Sequence, residues 1–223
     1  MQGNRVSEIP LSILLSIFVI SLTVIALQLN LMRALSLSHY HHFSYLVVSL
    51  ALLGFGTSGT ILTRIFSFLE KRFFTWTSLF YLLFALSIPL SYIAAQYLPI
   101  DIQYILYSFR QVTFVFIYVL LIFLPFLFGA LIIGMSLAYF SKQATVYGAN
   151  LIGSGIGGIF VLLLMFFIAP LQLPVKTALL ASIGFFLWLL GSKNEQKGIL
   201  VGGMICSVTI AVLSIFLNPV IPI

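Results

Sequence analysis

Three histidines, His39, His41 and His42, are the side chains best suited to chemistry in this chain of 223 residues. Imidazole nitrogens bind haem iron and divalent metals, and they titrate near neutral pH. No Cys, Asp or Glu lies near them in the sequence to complete a set of ligands. The simpler interpretation is a group of polar residues beside an apolar segment, so we expect no metal site and no cofactor, and a metal- or haem-binding role is the weaker alternative.

A second set of polar residues lies within or at the end of long apolar segments. Its members are Gln28, Asn30, Arg33 and Asn150. Together they are candidates for contacting a small neutral or weakly polar solute. Hydrogen bonds between helices are the simpler role for the amides, and a long Arg side chain reaches lipid headgroups.

The acidic residues argue against catalysis and proton coupling. All four fall at or beyond the ends of apolar segments: Glu8, Glu70, Asp101 and Glu195. Proton and cation carriers usually hold a carboxylate within the membrane. Nothing in the chain resembles a nucleophile paired with a base, or a phosphate loop. We therefore expect no enzyme activity.

Composition places these residues in a membrane protein. Hydrophobic residues make up 62% of the chain and charged residues 6%, whereas a soluble domain is about a quarter charged. Such a chain has too little polar surface to cover a soluble globule. The net charge is +6, but the sequence has no long basic run. The expected partner is therefore the lipid bilayer, not nucleic acid.

The apolar segments predict an all-α, polytopic transmembrane bundle in a single domain, 1–223. A span needs about 20 apolar residues, and seven segments qualify: 9–32, 43–66, 74–97, 112–140, 147–168, 175–190 and 199–217. The count is six if the short 175–190 segment is re-entrant. The first segment is too long for a signal peptide. Residues 101–110 predict a short helix in the membrane interface.

Positive charges predict the orientation. With the N-terminus inside, seven cations fall on the inner side and three on the outer. Cytoplasmic loops carry the excess of Lys and Arg. We therefore expect a cytoplasmic N-terminus and a multi-pass protein of the cell's inner (plasma) membrane.

Small residues predict where helices touch, because they let backbones approach closely in lipid. They recur on three predicted spans: Gly54 and Ser58 on the second, Ala130, Gly134 and Ala138 on the fourth, and Ala149, Gly153 and Gly157 on the fifth. Only a short loop separates the last two spans, so the pattern predicts a tightly packed antiparallel hairpin of spans four and five.

Several stretches resemble a known family. ALQLNLMRALS (Ala26–Ser36), HYHHFSYLVVSLALLGFGTSG (His39–Gly59), LPFLFGALIIGMSLAYF (Leu124–Phe140) and VYGANLIGSGIGG (Val146–Gly158) are similar to the membrane domain fused to bacterial spermidine-synthase-like proteins. That family usually has Glu where this chain has Gln28. The 223 residues leave no room for the aminopropyltransferase half, so the resemblance implies a membrane partner domain without synthase activity.

Three functions remain open at this point. The first is a non-catalytic membrane protein that anchors, docks or organises a protein partner, either a synthase-like enzyme or a larger membrane complex. The second is a permease for a small neutral or weakly polar solute. The third is a redox subunit that binds haem or metal through the His cluster.

Overall fold

The computed structural model describes residues 9–38, 42–96, 98, 107–169, 172–192, 201, 203–205, 208–209 and 212. Six helices are assigned within them: α1 (Leu11–Ser38), α2 (His42–Glu70), α3 (Phe73–Gln96), α4 (Phe109–Tyr139), α5 (Gln143–Leu164) and α6 (Leu173–Gly191). No strand occurs in this part of the chain, which confirms the all-α class. Helices α1 to α5 are long and apolar enough to cross a membrane, and α6 is a shorter apolar helix.

Short connections make successive helices run in opposite directions. Lys71 and Arg72 form the turn between α2 and α3, and residues 140–142 join α4 to α5. Helices satisfy their own backbone hydrogen bonds, which lipid cannot do. At these connections, the backbone groups that are not bonded within a helix are therefore confined to the short turns at the ends of the bundle.

Five helices form a closed ring around a shared core. In order around the ring, α1 contacts α6, α6 contacts α3, α3 contacts α4, α4 contacts α2, and α2 returns to α1. Helix α5 lies outside this ring. It packs along α1 and touches α4 only marginally.

The core is apolar, and α1 borders it with α2, α4, α5 and α6 as neighbours. Buried side chains recur on α1 at spacings of three or four residues, as at Ile13, Ile17, Ile20, Val24 and Leu27. Such spacing places them along one broad stripe of the helix. The stripe is wide because α1 has neighbours on several sides, whereas α5 is the least buried of the five long helices.

Some predicted elements fall outside the described residues. Most of the predicted interfacial helix (101–110) does, and its last two residues belong to α4. The predicted seventh span, 199–217, is described only at isolated positions, which are helical. There, Gly203 lies against Leu82 of α3, where an added Cβ would be 2.9 Å from the Leu82 side chain.

Candidate functional site

Spans four and five are joined by the short connection expected, but the predicted tight packing of one against the other is wrong. Gly153 and Gly157 face α1, not α4: a Cβ built on Gly157 would lie 2.6 Å from the backbone oxygen of Leu22 and 2.8 Å from its Cα. Gly153 meets the backbone at Phe18 in the same way. These two glycines let α5 run parallel to α1 with the backbones in direct contact. The small-residue pattern identified a close approach but not its partner.

The remaining small residues of the predicted stripes have varied neighbours. On α2, a Cβ added at Gly54 would come within 3.0 Å of the α4 backbone at Phe126 and Leu127. Ser58 is buried, and its hydroxyl donates to the Phe55 carbonyl at 2.8 Å. Ala130 and Ala149 are also buried. The second span therefore has its close-approach site against α4.

An open cleft occupies the place where the α4–α5 hairpin was expected. It has a volume of about 640 Å³ and is lined by Gly134, Leu137 and Ala138 of α4 and by Gln143, Ala144 and Tyr147 of α5. It opens because α5 leaves the α4–α5 connection to lie along α1. Two of the predicted packing residues, Gly134 and Ala138, thus line a cleft.

Asn150 takes part in the α1–α5 seam. Its side-chain Oδ1 lies 2.8 Å from the Ser21 hydroxyl oxygen, which also lies 2.8 Å from the Ile17 carbonyl. Ser21 is buried and Asn150 is half-buried. Ser21 has one proton and both of these oxygens only accept, so the contact is a cross-helix hydrogen bond when Ser21 donates to Asn150 rather than to Ile17. Such a bond is the ordinary role of an amide in a membrane span.

Asn30 has a different environment. It is fully buried, and neither its Oδ1 nor its Nδ2 has a hydrogen-bond partner among the described atoms. Gln28 is half-buried and Arg33 is exposed. Asn30 lies nine residues along α1 from Ser21, which is about 13 Å at the rise of an α-helix. The four polar candidates are therefore not gathered at one place.

Sequence reasoning missed a polar network at the α1–α3–α6 junction. The Ser16 hydroxyl lies 2.7 Å from the Gly184 carbonyl and 2.6 Å from the Tyr81 hydroxyl. Ser16 has one proton and the carbonyl accepts only, so Tyr81 donates to Ser16 and Ser16 donates to Gly184. All these polar atoms are satisfied, which is what a structural network requires.

Aromatic rings extend this network towards the ends of α3, α4 and α6. The Trp188 indole Nε1 donates to the Ser78 hydroxyl at 2.9 Å, and the Trp188 ring stacks on Tyr81 with centroids 5.2 Å apart. Phe73 stacks on Tyr139 at 3.6 Å. Serines at these positions within apolar runs were the available sequence signal, but they do not reveal their partners.

The histidines add no site within the described residues. His39 and His41 lie outside them, and His42 begins α2 with a side chain that is not described. Among the described side chains, no three of His, Cys, Asp or Glu come together as a metal site would require.

Comparison with known proteins gives no relative. No protein-family model, curated protein sequence or solved structure matches this chain.

Proposed function

We propose that this chain is a non-catalytic membrane domain that docks or organises a protein partner. The observation that carries the proposal is the position of α5, which packs along α1, touches α4 only marginally and turns most of its surface away from the bundle. Gly148 and Gly155 lie on that outer surface, and a Cβ built on either would meet nothing within 4 Å.

Open glycines on a membrane helix favour a protein neighbour over lipid alone. Lipid tails are as apolar as Leu, so helices gain contact in a bilayer mainly where small residues let two backbones come close. Gly153 and Gly157 already serve this purpose towards α1. Gly155 repeats the arrangement on the opposite face, between the exposed side chains of Ile152 and Ile159.

The other two functions receive less support. A permease would gather its polar residues around one path, whereas Asn150 pairs with Ser21 well away from Asn30. A haem-binding role would depend on histidines outside the described residues, and a visible absorption spectrum of the purified protein decides that question. We propose no enzyme activity for this chain.

The partner that we favour follows from the sequence resemblance. A membrane domain similar to those of spermidine-synthase-like proteins would hold a synthase-like enzyme at the membrane surface. With seven spans and a cytoplasmic N-terminus in the inner membrane, the docking surface on α5 would lie within the bilayer. The segment of the partner that contacts it would therefore be a membrane helix, with the synthase-like part at the membrane surface.

Site-specific photo-crosslinking in cells tests the proposal. A crosslinker placed at Ile152 or Ile159, on the outer face of α5, is expected to give one protein adduct of the same mass from both positions. A crosslinker at Phe116 of α4, which is equally exposed, serves as the control. Gly155→Leu should remove the adduct while Gly56→Leu on α2 leaves it. Lipid adducts alone, or the same products from all three positions, would contradict the proposal.

A further inference from the structure

We infer that the cleft between α4 and α5 binds an anionic phospholipid, with the headgroup at the α4–α5 connection and an acyl chain between the two helices. This inference goes beyond partner docking and does not depend on it. The shape, depth and charge of the cleft support it in turn.

The shape of the cleft suits a lipid. Leu137 and Ala138 on one wall and Ala144 on the other are apolar, and the volume is about 640 Å³. The two walls belong to helices joined by residues 140–142, and the cleft between them is shallow and wide open. A flexible acyl chain enters such a wedge more readily than a partner helix about 10 Å across.

The depth of the cleft matches the region of the headgroup and upper acyl chain. Its lining residues all lie within six residues of the connection, from Gly134 on α4 to Tyr147 on α5. At 1.5 Å per residue, that is about 9 Å along a helix. A partner helix would need contact over a much longer distance. Tyr147, about half exposed, has the amphipathic ring that prefers this depth.

The charge at this end of the bundle suits an anionic headgroup. Lys142 is exposed and adjoins the lining residue Gln143. The stack of Phe73 on Tyr139 holds the α2–α3 turn, with exposed Lys71 and Arg72, beside the same connection. Among the described residues at this end, Arg64 is a fourth cation and Glu70 the one carboxylate. Basic pockets between membrane helices are typical sites for anionic headgroups.

The amino terminus of α5 adds to this field. Lys142 is the N-cap residue, and no side chain caps the helix there. The first-turn N–H groups of Gln143 and Ala144 point towards the connection, at the positive end of the helix dipole. A phosphate bound at this connection would lie near both Lys142 and these amides.

Native mass spectrometry of the purified full-length chain tests the inference. The protein is equilibrated with equal amounts of phosphatidylglycerol and phosphatidylcholine, and the retained lipid is counted. We expect the wild type to prefer phosphatidylglycerol. Lys142→Gln should reduce that preference about fivefold, which corresponds to about 1 kcal/mol for one cation near the headgroup. Lys176→Gln, at the opposite end of the bundle, is the matched control and should change it little.

A second pair of variants tests the cleft itself. Ala144→Trp fills the cleft at an exposed position and should abolish the bound phosphatidylglycerol, whereas Phe116→Trp, at an exposed position near the other end of α4, should not. If the Trp variant does not fold, as judged by size-exclusion chromatography, Ala144→Leu replaces it. Equal retention of the two lipids by the wild type would overturn the inference. Equal effects of the two Lys variants would also overturn it. So would an Ala144 variant that loses a bound protein, whether a second copy or another chain, while it keeps its bound lipid.

Discussion

The close approach of α5 to α1 gives the sharpest test of this fold. Gly157→Ala adds one methyl group that would lie 2.6 Å from the Leu22 oxygen and 2.8 Å from the Leu22 Cα. Both are backbone atoms, which cannot rotate away as a side chain can. Ordinary contact needs about 3.5–4 Å, so the two helices must separate locally by about 1 Å.

The matched control lies two residues away on the same helix. Gly155→Ala adds the same methyl group where nothing lies within 4 Å. Both variants gain the same helix propensity, up to about 1 kcal/mol relative to Gly, so that contribution cancels when they are compared. The remaining difference is the cost of overpacking, which is typically about 1–3 kcal/mol. We therefore expect Gly157→Ala to be less stable than Gly155→Ala by about that amount.

Reversible unfolding in mixed micelles, followed by circular dichroism, measures this difference. The detergent composition is kept constant for both variants, and size-exclusion chromatography confirms that each is monodisperse before unfolding. If the two variants unfold within about 0.5 kcal/mol of each other, the backbone contact between α5 and α1 does not exist as described, and the reasoning from the glycines fails.

Two further pairs of variants test the buried polar groups by the same measurement. Tyr81→Phe removes one hydroxyl and leaves Ser16 bonded to Gly184, so it should cost about 0.6 kcal/mol. Ser16→Ala leaves the buried Tyr81 hydroxyl unpaired, while the Gly184 carbonyl keeps its bond within α6, and should cost about 1–3 kcal/mol. The reverse order would contradict the proton assignment. Asn30→Leu should stabilise the protein by about 1 kcal/mol or more because it removes an unpartnered amide from the interior. Asn150→Leu should destabilise the protein through loss of the Ser21 bond. Destabilisation by Asn30→Leu would show that the Asn30 amide has a partner.

The sequence predicted the helical class because that class depends on local composition. Twenty apolar residues in lipid must form a helix, whatever surrounds them. The five long helices follow from this rule alone. The short connections also follow from the sequence, since the polar residues Lys71, Arg72 and Lys142 interrupt the apolar runs there.

The choice of neighbours could not be predicted in the same way. Gly153 and Gly157 make α5 a good surface for close packing. Helices α1 and α4 are both apolar, and the short α4–α5 connection allows α5 to pack against either of them. The backbone at Phe18 and Leu22, with the Asn150–Ser21 pair beside it, provides the better match. None of these α1 residues is distinctive in sequence. Adjacency along the chain favoured α4 as the packing partner of α5. The actual partner is α1, because its surface is more complementary to α5.

The same competition explains the cleft. Once α5 packs along α1, the small residues Gly134 and Ala138 lose the neighbour that the sequence pattern had suggested for them. Gly134 retains Leu62 of α2 on one side, where an added Cβ would be 2.6 Å away, while its other side borders the cleft. In water such an apolar opening would collapse or recruit a partner. In a bilayer it is solvated by lipid, so a membrane bundle can keep an opening there, beside Lys142, and use it to select a headgroup.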